Sequence, residues 1–172
     1  MIQIGHSPAT IGTPVEHLMA CHRRIEERLA TLQRAGASLV SDPHAALEAI
    51  RKSVLFLDSS GALHTADEEE SLFPRLRPHL TPAESRFLDE LETQHQAAES
   101  VFAELKRVAI ELSAAGHSPP LESQFQQLAA RLSALYLPHI QSEDEILTPL
   151  ARRTLTEDQL RAISEEMKAR RK

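Results

Sequence analysis

The chain has 172 residues, 41% hydrophobic and 26% charged, with 19 Lys and Arg against 25 Asp and Glu for a formal net charge of -6. Those proportions exclude wholesale disorder, a second full domain and a grip on nucleic acid as the main business. One cysteine, Cys21, excludes an internal disulfide, a cysteine-rich zinc site and c-type haem attachment. Aromatics are only 3%, so the core is aliphatic. No apolar run approaches a membrane span and the N-terminus carries no apolar signal region, so a soluble cytoplasmic protein with no membrane partner is expected.

Residues 1–12 read as an N-terminal extension. Thr13-Pro14-Val15-Glu16 is a capping box with proline at the first helical position, and it opens a helix over about 14 to 37, with Gly36 near its end. Asp42-Pro43 opens a second over about 43 to 73, with Ser59-Ser60-Gly61 in its middle as a place for a kink. A second capping box, Thr81-Pro82-Ala83-Glu84, starts a third over about 82 to 114, stopped by Gly116. Ser118-Pro119 starts a fourth over about 120 to 148, and the capping box Thr156 to Gln159 starts a short fifth over 157 to 169. That last helix belongs to a C-terminal segment, 150–172, whose basic end from Lys168 to Lys172 reads as solvated. Nothing alternates with period two for long enough to form a strand, and short connections favour antiparallel neighbours. The expectation is a single all-α domain over 1–172: an up-down-up-down antiparallel four-helix bundle with a short C-terminal fifth helix.

The chain also repeats itself. The stretch from His64 to Pro74 matches that from His139 to Pro149 in register, sharing the His, a Glu four residues on, two further acids, a Leu and the Pro. Upstream, His22 with Glu26, Leu29 and Leu32 matches His95 with Glu99, Phe102 and Leu105. Two helical hairpins of one design follow, each offering one His from its first helix and His-x3-Glu from its second.

Residues four apart share one face of a helix, and the apolar stripes show which face it is. Phe125, Leu128, Leu132 and Leu135 lead to His139 and Glu143 and on to Ile146 and Leu150; Leu18, His22, Ile25 and Leu29 form one stripe, and Leu88, Leu91, His95, Phe102 and Leu105 another. On the second helix Ile50, Val54, Leu57 and Gly61 run into His64 and Glu68. Six ionisable groups facing one core are unfavourable unless a cation binds there. Imidazole with carboxylate and no thiolate suits iron, manganese or zinc, and four His with two Glu exceed what one tetrahedral zinc uses. Two metals bridged by Glu68 and Glu143, with two histidines each from His22, His64, His95 and His139, use every ligand.

The other histidines read differently. His44-x3-Glu48 lies twenty residues before His64, about 30 Å along a continuous helix, and is out of reach. His17 shares its face with Arg24 and Arg28, at the solvent edge; His6, His79 and His117 fall in turns or ends. Tyr136, one turn before His139, reads as packing.

These residues resemble the hemerythrin-like, HHE cation-binding proteins, whose pattern is a His on the first helix, His-x3-Glu on the second, a His on the third and His-x3-Glu on the fourth. The resemblance covers nearly the whole chain. It implies two iron ions in an oxo- or hydroxo-bridged site held by His22, His64, Glu68, His95, His139 and Glu143, with zinc or manganese as possible substitutes. The oxygen carriers of that family have a further His where this chain has Glu99, and an Asp at the position of Asp144, which competes with Glu143; the repeat favours Glu143 because it mirrors Glu68. Ferritin-like sites need Glu-x-x-His twice, and only Glu92 with His95 has that spacing.

Two octahedral ions offer about twelve positions, of which four His, two bridging carboxylates and a bridging oxygen fill about ten. The two left open point to a small ligand, O2, NO or peroxide, held for sensing, binding or detoxification rather than simple reversible storage. The other readings are a redox enzyme that reduces peroxide or NO or repairs iron clusters, and an iron-sensing module without catalysis. Glu99 is expected at the lip of one metal site.

Overall fold

A capping residue and a proline decide where most of the helices begin. In the computed structural model, which describes residues 13–172, Thr13, Thr81 and Thr156 each accept from the backbone three residues on, and Glu16, Glu84 and Gln159 return the bond to the cap backbone. All three predicted capping boxes form. Asp42 caps from its side chain, while at Ser118 the Glu122 carboxylate takes the backbone N–H instead. The helices that follow are α1 (Pro14–Ser38), α2 (43–79), α3 (Pro82–Ala115), α4 (119–154) and α5 (Glu157–Ala169), and no strand occurs among the described residues. The N-terminal extension and His6 lie outside the described residues. None of these helices is long and apolar enough to cross a membrane.

Two helices outrun their expected ends. α2 passes Pro74 and closes in a 3-10 turn at Arg77–His79, and α4 passes Pro149 to Thr154, rather than stopping near 73 and 148. The reason is a change of winding: Asp67–Leu72 and Glu143–Leu147 are π-helical, and each proline is the second residue of the α-segment that follows. Proline's missing N–H and bulky ring are tolerated in a first turn, and the π-turn provides one inside a continuous rod. An extra residue per π-turn also rotates the following face. Leu147 is therefore buried where the α-periodic stripe placed Ile146, which is 50% exposed. A third π-segment, Leu57–Gly61, occupies the expected kink at Ser59-Ser60-Gly61. Gly36 does not stop α1; it lets the helix approach α4, where an added Cβ would lie 3.3 Å from Phe125 and Gln126.

α1 packs on α2 and α4, and α3 packs on the same two; α5 lies against α1 and the Asp67–Leu72 turn of α2. The aliphatic core falls into two clusters. One contains Ile25, Leu57, Ala98, Leu132 and Ile140; the other contains Leu18, Leu72, Leu91, Leu147 and Ile163. On every long helix the predicted ligands fall between residues of the two clusters. His22 lies between Leu18 and Ile25, for example, and His95 between Leu91 and Ala98.

Candidate metal centre

The polar layer between the two clusters is made of His22 on α1, His64 and Glu68 on α2, His95 on α3, and His139 and Glu143 on α4. None is more than 7% exposed. His22 and His64 present their Nε2 atoms to each other at 3.1 Å, and the rings of His95 and His139 meet edge to face with centroids 4.5 Å apart. The carboxylates span the two pairs. Glu143 lies 3.1 Å from His22 Nε2, 3.1 Å from His139 Nε2 and 3.7 Å from His95 Nε2, while Glu68 lies 3.5 Å from both His64 and His95 and 3.9 Å from His22. Two groups thus have their ligand atoms close enough to hold an ion: His22, His64, Glu68 and Glu143 in one, His95, His139 and Glu143 in the other.

The backs of the rings are held from outside the layer. His22 Nδ1–H donates to Asp144 at 2.7 Å, His95 Nδ1–H to Glu69 at 2.8 Å, and His139 Nδ1–H to the Gln94 amide oxygen at 2.9 Å. A carboxylate or amide behind a ring fixes the tautomer and turns the Nε2 lone pair inward, as a metal-binding imidazole requires. His64 Nδ1 alone is buried without a partner.

Such a layer calls for positive charge at its centre. With Nδ1–H committed to Asp144, the His22 Nε2 lone pair faces His64 Nε2 at a distance where only a proton or a cation between them removes the repulsion. All four oxygens of Glu68 and Glu143 are buried without a hydrogen bond. Burial opposes a charge on His22, yet Glu143 and Glu68 outweigh it and push the ring up to about 10. His95, also buried, is pushed up to about 9 by Glu143, Glu68 and Glu69. Burial alone dominates at His64, which drops to about 3. Despite burial, His139, His22 and His95 hold Glu143 well below the usual carboxylate range, whereas burial and the neighbouring Glu143 charge push Glu68 up to about 8. Four inward nitrogens and two carboxylates without other partners fit a cation site of nitrogen and oxygen donors.

Residues 13–151 match the profile of the hemerythrin HHE cation binding domain. The chain belongs to that family. No curated protein sequence matches it closely enough to serve as a relative.

Within this hemerythrin HHE domain the structure separates residues that spacing left in competition. Glu143 points into the layer, while Asp144 sits behind His22 and pairs with Arg23. Glu69 has the same place behind His95, so the second acid of each repeat orients the lone His of the other half. That role went unread, although the matched acids were its signal. His17 is half-buried and distinct from the cluster, and His44, His79 and His117 are exposed. Glu99 is exposed beside His95 on the wall of a cleft whose lining also includes Tyr136. Tyr136 packs its ring across that of His139 at 6.3 Å, and burial pushes its hydroxyl up to about 12. The basic tail is not a solvated end. Arg170 and Arg171 both bind Asp67, which is fully buried next to Glu68, and Arg170 also reaches Glu70 and Ser71.

Proposed function

We propose that the protein is a non-haem di-iron protein in which His22, His64, Glu68, His95, His139 and Glu143 hold two iron ions, Glu68 and Glu143 bridging them. The helices form an up-down-up-down antiparallel four-helix bundle, and the centre binds O2, NO or peroxide for sensing, binding or detoxification. The observation that carries this reading is the pair of buried carboxylates with no hydrogen bonds, each within reach of histidines from both halves of the chain. An iron pair supplies open coordination positions and exchangeable electrons there. The chain's own residues do the rest. Asp144 and Glu69 keep His22 and His95 in the tautomer that presents Nε2, the two aliphatic clusters keep bulk water away, and Tyr136 remains a neutral hydroxyl beside His139. An unpaired buried Cys21 supports a reducing, cytoplasmic setting.

The test is metal analysis of anaerobically purified protein together with its optical spectrum before and after O2 or NO. About two irons per chain and a spectrum that responds are expected; a single zinc, or a spectrum indifferent to both gases, would sink the proposal. Turnover of peroxide or NO with an added reductant would move the assignment to a redox enzyme.

A further inference from the structure

Two of the three π-segments carry a bridging carboxylate, but Leu57–Gly61 carries no ligand. Its repeat-matched stretch on α4, residues 132–136, is ordinary α-helix. π-turns inside α-helices often mark functional places, and this one borders a cavity of 290 Å³ between α2 and α3. The cleft is closed at one end by Lys106 on Asp58 at 2.6 Å and at the other by His95 on Glu69 at 2.8 Å. Eleven residues of α3 separate those ends, about 16 Å of helix. Gly61, Ala62 and Ala103 leave its width open, since a Cβ added to Gly61 would meet only Leu57, at 3.9 Å. Leu57 and Phe102 give it apolar walls and Tyr136 lines it from α4.

Size and charge say what would fit. Water takes about 30 Å³ in the liquid, so the space exceeds a diatomic several-fold and suits an organic molecule of roughly eight to ten non-hydrogen atoms. Three carboxylates, Asp58, Glu69 and Glu99, line the cleft with two nitrogen bases, Lys106 and His95. Asp58 is paired with Lys106 and Glu69 accepts from His95, whereas Glu99 makes no ion pair among the described residues. An unneutralised carboxylate beside apolar walls selects a cation with a hydrocarbon body. We propose that this cleft binds a small organic amine, its ammonium on Glu99 and its aryl or branched-alkyl body against Leu57, Phe102 and Tyr136. Only the consequence for chemistry rests on the di-iron reading, through His95; binding itself does not.

Tyr136 is the only tyrosine in a chain without tryptophan, so its fluorescence reports on the cleft directly. Cyclohexylmethylamine, cyclohexylmethanol and cyclohexanecarboxylate share a body and differ in charge, and each would be titrated into metal-free and metal-loaded protein. The amine should change Tyr136 emission saturably in both forms and bind about fivefold tighter than the carboxylate. Glu99→Gln should erase that preference, and Ala103→Leu should fill the space and abolish binding with metal content unchanged. No saturable change, equal binding of amine and carboxylate, or unaltered binding to Ala103→Leu would overturn the proposal. Because metal content is measured separately, a failure of the iron assignment would not be mistaken for a failure here.

Discussion

The two halves of the chain carry the same candidate ligands in the same register but are supported differently. In the first, His64 has no partner on Nδ1, while its counterpart His139 donates to Gln94. The first half is instead clamped from outside: α5 lies on the Asp67–Leu72 turn, and Arg170 and Arg171 close on Asp67 beside Glu68. His95 of the second half has no such clamp and instead lines the cleft between α2 and α3. A duplicated ligand pattern therefore does not give two equivalent sites, because what differs is the matter packed behind each ligand: a clamp behind one, space beside the other.

The largest effect expected is from Glu68→Ala, which removes a carboxylate within reach of both histidine pairs and should lose both metals together. Full metal content with an unchanged spectrum would break the bridging assignment. His22→Ala should weaken one site and leave the other, whereas His17→Ala should leave metal content unchanged; the reverse would mean that α1 presents a different face.

The clamp comes next. Replacing Arg170 and Arg171 together by Ala leaves the buried Asp67 charge without a cation and should destabilise the metal-free protein by about 3 kcal/mol, read by denaturant unfolding. A loss within error would show that the tail does not hold the first half. Smaller again, Asp144→Asn and Glu69→Gln should each weaken metal binding by about 10- to 100-fold, at the ion nearest His22 and His95 respectively. Equal weakening of both ions by either variant would contradict the crosswise support.

The smallest effect is at Glu166, whose carboxyl is held below its ordinary value by Arg75 and by Ser71. A depressed folded-state value means that its contribution is full above the ordinary carboxylate value and disappears as pH falls through the depressed one. Glu166→Gln should therefore destabilise the metal-free protein at pH 7 by less than about 1 kcal/mol, and that loss should shrink as pH falls through the depressed value. A loss that does not change with pH would show a role in packing instead.

The helix starts were legible in the chain, because a cap and a proline act within one turn, and so were the six side chains that share the buried faces, because helical periodicity carries that information over short distances. The sequence did not show where α2 and α4 end. Proline looks like a stop until a π-turn upstream absorbs its missing N–H, and that same turn moved Leu147 inward in place of Ile146. Nor could it separate Glu143 from Asp144, one residue apart, or place Arg170 and Arg171 on Asp67 about a hundred residues away. Only the packing of helices against one another decided those, since an ion pair or an orienting hydrogen bond across the fold leaves no period in the chain, and the cleft beside His95 exists only as the space left between two packed helices.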